Sequence, residues 1–198
     1  MNSPTDAPAA ETHGLMFFNA VEARALDAMT ARVIPSEPDR LGAREAAVVT
    51  YIDRAVAGYF RDLQGVYRVS LQRLDECCLA GFGMCFADLS AGEQDQILLA
   101  LDGGAQMVSP ETAKALAADG RESILPRFFA IVREHTIQGL FCDPIYGGNR
   151  DFTGWRLIGF PGAQWSYSAE QMREGFDATT IPILSLSDLQ RAHAGSLK

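Results

Sequence analysis

The residues with the capacity for catalysis or ligation are few and scattered. His135 is the one histidine inside a predictable element, since His13 and His193 lie near the chain ends, and Arg133, Glu134 and Asp143 stand close to it. A histidine beside carboxylates suits general acid–base work, whereas a lone imidazole on a mostly apolar helix is also a hydrogen-bonded core group. Cys77, Cys78, Cys85 and Cys142 are compatible with two disulfides without requiring them. Adjacent Cys77 and Cys78 depart from zinc-ligand spacing, and the plain expectation is small buried thiols. There is no G-x-S-x-G elbow, no cysteine with a histidine at a readable spacing, and no cluster of metal-ligating types. The sequence therefore leads us to expect no catalytic, cofactor-binding or metal-ligating residue in this chain.

The segment from Arg133 to Gly162 is compositionally the least ordinary part of the chain. Asp143-Pro144 starts a turn, because proline fixes φ and removes a donor. Gly147-Gly148-Asn149 tolerates positive φ, so the backbone can adopt a tight, specific shape. Phe141, Tyr146, Phe152, Trp155 and Phe160 are interleaved with the glycines, and either cover the preceding helix or offer rigid surface to something else. The glycines follow neither G-x-G-x-x-G nor a GKS/GKT pattern, and no strand precedes them, so phosphate cradling is unsupported. Arg150 and Arg156 could hold an anion, or pair with Asp143 and Asp151 to fix the loop.

The elements that would position these residues read as helices. Asn19 with Glu22 has capping-box spacing, and Leu26, Met29 and Val33 continue it at helical intervals until Pro35, predicting a helix over about 20–33. A second helix is predicted over Ala43 to Phe60. Asp53 lies on or beside its apolar stripe and should have a partner if buried, with Arg54 or Arg24 as candidates. A third is predicted over Val66 to Leu79, closed by Gly81-Phe-Gly83. Ser90 with Glu93 caps a fourth helix that stops at Gly103-Gly104, and Pro110 to Ala118 is a short fifth. From Ser123 to about Phe141 the pattern is apolar over more than half the circumference, which marks a central helix. Gly154 to Ile158 is a single helical turn. The tail from Ala163 carries Trp165, Tyr167, Phe176 and Ile181 with little regular pattern. Neither repeats nor period-two runs occur, so the class is all-α: one helical domain of about six helices over 15–162, a flexible lead over 1–14, and an extended tail over 163–198.

The totals exclude several functions. A chain of 198 residues with 47% hydrophobic and 21% charged residues suits one globular domain. A net charge of −8 repels nucleic-acid phosphates and anionic lipid headgroups, and no apolar run approaches the roughly 18 residues of a membrane span. The N-terminal MNSPTDAPAAETHG has neither a basic and apolar signal pattern nor paired arginines, which reads as a cytoplasmic or already processed start.

An ordered set of motifs nevertheless resembles a known family. Arg32-Val-Ile-Pro35 is followed by Gly42-Ala-Arg-Glu-Ala46 and Tyr51-Ile-Asp53, then Gly81-Phe82 and Phe86-Ala-Asp-Leu-Ser-x-x-Glu-Gln94. Asp143-Pro-x-Tyr-Gly-Gly-Asn149 then leads through Gly154-Trp155 to Gly159-Phe-Pro-Gly162. From about Phe17 to Gly162 this resembles the gluconate 2-dehydrogenase subunit 3 family, the small subunits of bacterial FAD-dependent sugar and polyol dehydrogenases. The resemblance implies a non-catalytic chain that helps fold or export a large flavoprotein of the glucose-methanol-choline type. FAD would lie in that large subunit, haem in a cytochrome c subunit, and the complex at the periplasmic side of the inner membrane. Tyr146, Gly147, Gly148, Asn149, Trp155, Phe160 and Trp165 are then the candidate partner interface, with the tail wrapping the partner. The alternative is a stand-alone helical enzyme or ligand-binding protein using His135, Asp143 and the Gly147-Gly148 loop around a small polar substrate.

Overall fold

The computed structural model describes residues 14–104, 109–117 and 123–196. The lead expected over 1–14 lies outside these except for Gly14, as does Ala118. Among the described residues the architecture is all-α, in one helical domain without strands: α1 (Ala20–Val33), α2 (Val48–Ala57), α3 (Gln64–Phe82), α4 (Ala91–Leu99), α5 (Pro110–Ala117), α6 (Leu125–Phe141), α7 (Thr153–Ile158) and α8 (Leu186–Ser196). Among the described residues, no helix is long and apolar enough to cross a membrane.

α6 is the axis. It buries Leu125, Phe128, Phe129, Val132, His135, Thr136 and Leu140 and packs against α1, α2 and α3. α1 opposes it with Leu26 and Met29, α2 with Ile52 and Val56, and α3 with Tyr67, Leu71 and Leu74, all buried. At about 25 cal/mol per Å² of apolar surface removed from water, such side chains contribute roughly 1.5–3 kcal/mol each before the entropy of ordering them.

Both expected capping boxes form. The Asn19 side chain accepts from Glu22 N at 2.9 Å while Asn19 N donates to Glu22 Oε2, and Ser90 and Glu93 make the same reciprocal pair. α3 runs past the expected Leu79 to Phe82 and ends on Gly83 in the left-handed conformation.

α2 is shorter than the expected 43–60. Residues 43–47 form a turn instead, with Val48 N donating to Ala43 O at 3.0 Å and Ala47 at φ 56°. A left-handed alanine cannot continue a helix, so α2 begins after it. The turn is pinned where Gly42 meets the end of α1, since a Cβ there would stand 2.6 Å from Ile34 O and Ser36 N.

Asp53 is buried, but the expected arginine partners are corrected. Arg24 pairs with Asp88, and Arg54 lies along the surface of Gly147. The Asp53 carboxylate instead accepts the backbone amides of Met16, Phe17 and Phe18 at 2.6, 3.0 and 2.9 Å. These amides precede the cap of α1 and have no helical partner, so one charge satisfies three donors at once. Arg68 closes the arm from outside, donating to Phe17 O at 3.1 Å and lying 4.4 Å over the Phe17 ring.

The tail is more regular than its sequence suggests. Ser185 and Asp188 form a reciprocal cap at the start of α8, with Ser185 N donating to Asp188 Oδ2 at 2.8 Å and Asp188 N to Ser185 Oγ at 3.2 Å. The signal was the Ser-x-x-Asp spacing, with aspartate in place of the usual glutamate.

Removing the Asp53 carboxylate orphans three amides next to the core. Asp53→Ala should lower the unfolding free energy by about 3 kcal/mol, and Asp53→Asn by roughly half that, because an amide oxygen can still accept. Urea denaturation measures this, and a change within about 0.5 kcal/mol for Asp53→Ala would contradict the assignment.

Candidate functional site

The most constrained segment runs from the end of α6 to the tail. α6 leaves its last carbonyls without helical partners, and the loop supplies them one by one. Cys142 N donates to Gln138 O at 2.8 Å, Asn149 N to Gly139 O at 2.9 Å, Trp155 Nε1 to Phe141 O at 2.8 Å, and Asn149 Nδ2 to Cys142 O at 2.9 Å. Asn149 Oδ1 also accepts from Gly154 N at 2.8 Å, capping the first turn of α7. One fully buried asparagine thus joins the C-terminus of one helix to the N-terminus of the next.

This geometry forces backbone strain. Asn149, Asp151 and Phe152 have φ of 46°, 54° and 59°, a region that costs a non-glycine residue roughly 1–2 kcal/mol. Two glycines permit the close approach of loop and helix. A Cβ on Gly148 would overlap the Gly139 carbonyl oxygen, and one on Gly154 the Leu140 carbonyl oxygen. Trp155 then lies buried between Phe152, stacked at 5.6 Å, and Phe160, edge-on at 5.2 Å.

The aspartates and arginines of the loop behave differently from expectation. Asp143 accepts Ile145 N at 3.0 Å, which starts the Pro144–Tyr146 turn, and Leu186 N at 2.8 Å, which ties down the tail. The ion pairs expected from Arg150 and Arg156 to Asp143 and Asp151 do not form among the described residues. Arg156 Nε donates to the backbone oxygen of Asp151 at 3.0 Å instead, and Arg150 is held through its backbone, N to Ala46 O at 3.1 Å.

The proposed partner face is divided by these contacts. Gly148, Asn149 and Trp155 are buried within the chain and hold the loop; Gly147, at φ 99°, is covered by Arg54. Tyr146, Phe160 and Trp165 are 55%, 42% and 72% exposed. The sequence offered no way to separate the two groups, because both are aromatic or turn-forming types.

His135 is a core residue. Its Nδ1 lies 2.8 Å from Tyr67 Oη, and its ring stacks on Phe60 at 4.4 Å. Burial lowers its pKa, with Glu134 a weaker opposing influence, so the imidazole is neutral near pH 7. The neighbours that suggested acid–base chemistry are engaged elsewhere: Arg133 with Asp102, Glu134 with Gln138, and Asp143 in its turn. All four cysteines are free thiols. Cys77 and Cys78 are buried, and burial pushes the Cys142 thiol up to about 11, so it is not a thiolate at neutral pH. Among the described residues no three His, Cys, Asp or Glu side chains are grouped to hold a metal ion.

Fold and site together define an all-α protein with a glycine-rich loop clamped to the end of its central helix. The family model of gluconate 2-dehydrogenase subunit 3 matches residues 20–162, from the start of α1 to the glycine that closes the loop, and the chain belongs to that family. Comparison with curated proteins and with solved structures gives no match.

Two measurements test this account. Asn149→Ala should cost about 3 kcal/mol in chemical denaturation, and Asn149→Gly about 1 kcal/mol less, because glycine keeps the left-handed backbone while losing the same side-chain bonds. Equal losses would remove the strain argument. For His135, the folded state takes up a proton less readily than the unfolded chain. Its contribution to stability is therefore complete above the ordinary value of 6.5 and is lost as pH falls through the lowered folded value. The melting temperature of the native protein should fall more between pH 7.5 and 5.5 than that of His135→Gln (assay pH values chosen as roughly one unit either side of the ordinary histidine range). Parallel curves would place the imidazole in contact with solvent.

Proposed function

We propose that this chain is the non-catalytic small subunit of a heteromeric FAD-dependent sugar or polyol dehydrogenase, holding a large flavoprotein of the glucose-methanol-choline type and assisting its folding or export. The flavin and the reacting groups belong to the large subunit, electrons leave through a cytochrome c subunit carrying haem, and the complex faces the periplasm. The observation that carries this reading is the match to gluconate 2-dehydrogenase subunit 3 across residues 20–162. It is supported by the fixed loop, on which Tyr146 and Phe160 are exposed, and by an exposed Trp165 in the tail. Large aromatic side chains on a fixed backbone lose little entropy on binding and dominate interface energetics. The enzyme alternative draws no such support, because His135 is packed between Tyr67 and Phe60.

Co-expression with a large flavoprotein of the glucose-methanol-choline type from the same source, followed by size-exclusion chromatography read at the flavin absorbance, tests the reading. The expected result is co-elution with flavin, no flavin on this chain alone, and loss of soluble holo-dehydrogenase when this chain is omitted. An obligate interface of well over roughly 2,000 Å² should result. Separate elution with full dehydrogenase activity in its absence would refute it.

A further inference from the structure

The C-terminal end of α7 borders a recess that its own chain leaves open. α7 stops at Gly159, in the left-handed conformation at φ 66°, and Phe160 N turns back to Trp155 O at 2.9 Å. The chain then runs beside the tail, with Leu184 N donating to Pro161 O at 3.2 Å and Ala163 N to Leu184 O at 2.7 Å. Between them lies a recess of about 200 Å³ walled by Gly159, Phe160, Pro161, Thr179 and Ile183, with Arg156 at its rim. That volume is below the roughly 300 Å³ at which small-molecule sites begin. It fits one large side chain.

We propose that this recess is the anchor point for the catalytic partner, taking a large apolar side chain against Phe160 while a carboxylate on the same partner segment pairs with Arg156. The inference rests on the subunit reading above and says where and by what chemistry the partner is held. Three features carry it.

The walls are set before binding. Phe160 is braced edge-on by Trp155, which is itself tied to Phe141 O, and Thr179 is fixed by Asp177 through both its N and Oγ1 at 3.0 and 2.6 Å. The surround is apolar and exposed: Leu157 and Ile158 flank Arg156 on the outer side of α7, and Phe160 continues them. The described tail forms one wall of the recess and is held there by Leu184 and by the Leu186 amide on Asp143.

Charge selects the occupant. On the helical bundle Arg24, Arg32, Arg44, Arg68 and Arg133 each hold a carboxylate, while Arg54 lies over Gly147 and Arg61 and Arg127 are exposed without one among the described residues; none of these three borders the recess. Arg156 is aimed by its Nε bond to Asp151 O, and its terminal nitrogens hold no carboxylate among the described residues. A fixed guanidinium fork with free donors is the complement of a carboxylate. A second copy of this chain, also at −8, is repelled overall. The occupant we assign is a segment of the catalytic partner rather than a second copy.

The test uses the co-expressed complex and reads its apparent dissociation constant from the fraction of flavoprotein that stays with this chain on serial dilution. Arg156→Glu and Phe160→Ala should each weaken binding by at least about tenfold, and Arg156→Glu should also flatten its salt dependence. Arg127→Glu serves as the control. It alters an exposed arginine near the other end of α6, about 21 Å along the helix from the end that carries the loop, and should bind as the native chain does. Circular dichroism melts establish that each variant is folded. Arg156 is exposed, so its replacement decides the matter even if Phe160→Ala loses the fold. Native-like binding by folded Arg156→Glu, with the unmodified chain still holding the flavoprotein, would overturn the anchor while leaving the subunit reading intact. Failure of the unmodified chain to bind would overturn both.

Discussion

Ending a buried helix is the constraint on which the rest of this structure depends. α6 carries the core on most of its circumference, so its C-terminal carbonyls finish inside the protein, where each unpaired polar group costs roughly 1–3 kcal/mol. Water cannot serve them freely, and a glycine cap alone would satisfy only one or two. The chain resolves this by folding its next twenty residues back over the helix end, with Asn149 and the Trp155 indole as donors. The strained backbone at Asn149, Asp151 and Phe152 follows from that requirement: the side chain of residue 149 must reach the end of α6 and the start of α7 together.

A second regularity extends this logic to the other connections. Asp53 on α2 holds the arm that enters α1. Asp75 on α3 accepts Phe86 N at 2.9 Å, and Gln94 on α4 donates to Phe86 O and Leu89 O. Asp143 holds both its own turn and the start of α8. Side chains borne on helices (Asp53, Asp75, Gln94) or just beyond the end of one (Asp143) thus satisfy the backbone of the irregular segments. This explains how a chain with long non-helical stretches keeps them fixed, and why buried carboxylates occur without arginine partners. Several N–H donors stabilise an anion as effectively as one ion pair and impose a defined backbone path as well.

These arrangements divide what sequence can reveal from what it cannot. Local signals were legible: the Asn19 and Ser90 boxes, the stop at Pro35, and the wide apolar face of α6 rest on spacing along one helix. The start of α2 was not, because nothing in the type of Ala47 announces a left-handed backbone. The partners of Asp53 were hidden for a related reason. They are main-chain amides 35 to 37 residues away, and amides carry no sequence signature. At the loop, glycines and aromatics correctly marked an ordered segment. Which aromatics face inward depends on the path of the backbone: core packing was the readier expectation for Phe160 than for Trp155, and the fold instead buries Trp155 and leaves Phe160 42% exposed. α8 lay within reach, since Ser185 and Asp188 follow the same reciprocal rule as the two recognised boxes.

The division of the loop aromatics bears directly on function. A loop made only to close a helix would need Asn149, the glycines and Trp155, and its outer face could be polar at no cost to the fold. Here that outer face carries Tyr146, Leu157, Ile158 and Phe160, all substantially exposed, together with arginines that hold no carboxylate among the described residues. Phe160 braces Trp155 and Arg156 holds the Asp151 carbonyl, but the area these side chains leave exposed raises the free energy of the isolated chain in water. The two become favourable together only when another surface removes the apolar groups from water and supplies the counter-charge. Because the backbone beneath is already fixed by the needs of α6, ordering it adds little further cost on association. The constraint that ends the central helix thereby also fixes the backbone that carries these exposed groups, and it is on this fixed backbone, together with membership of the gluconate 2-dehydrogenase subunit 3 family, that the proposed partner surface rests.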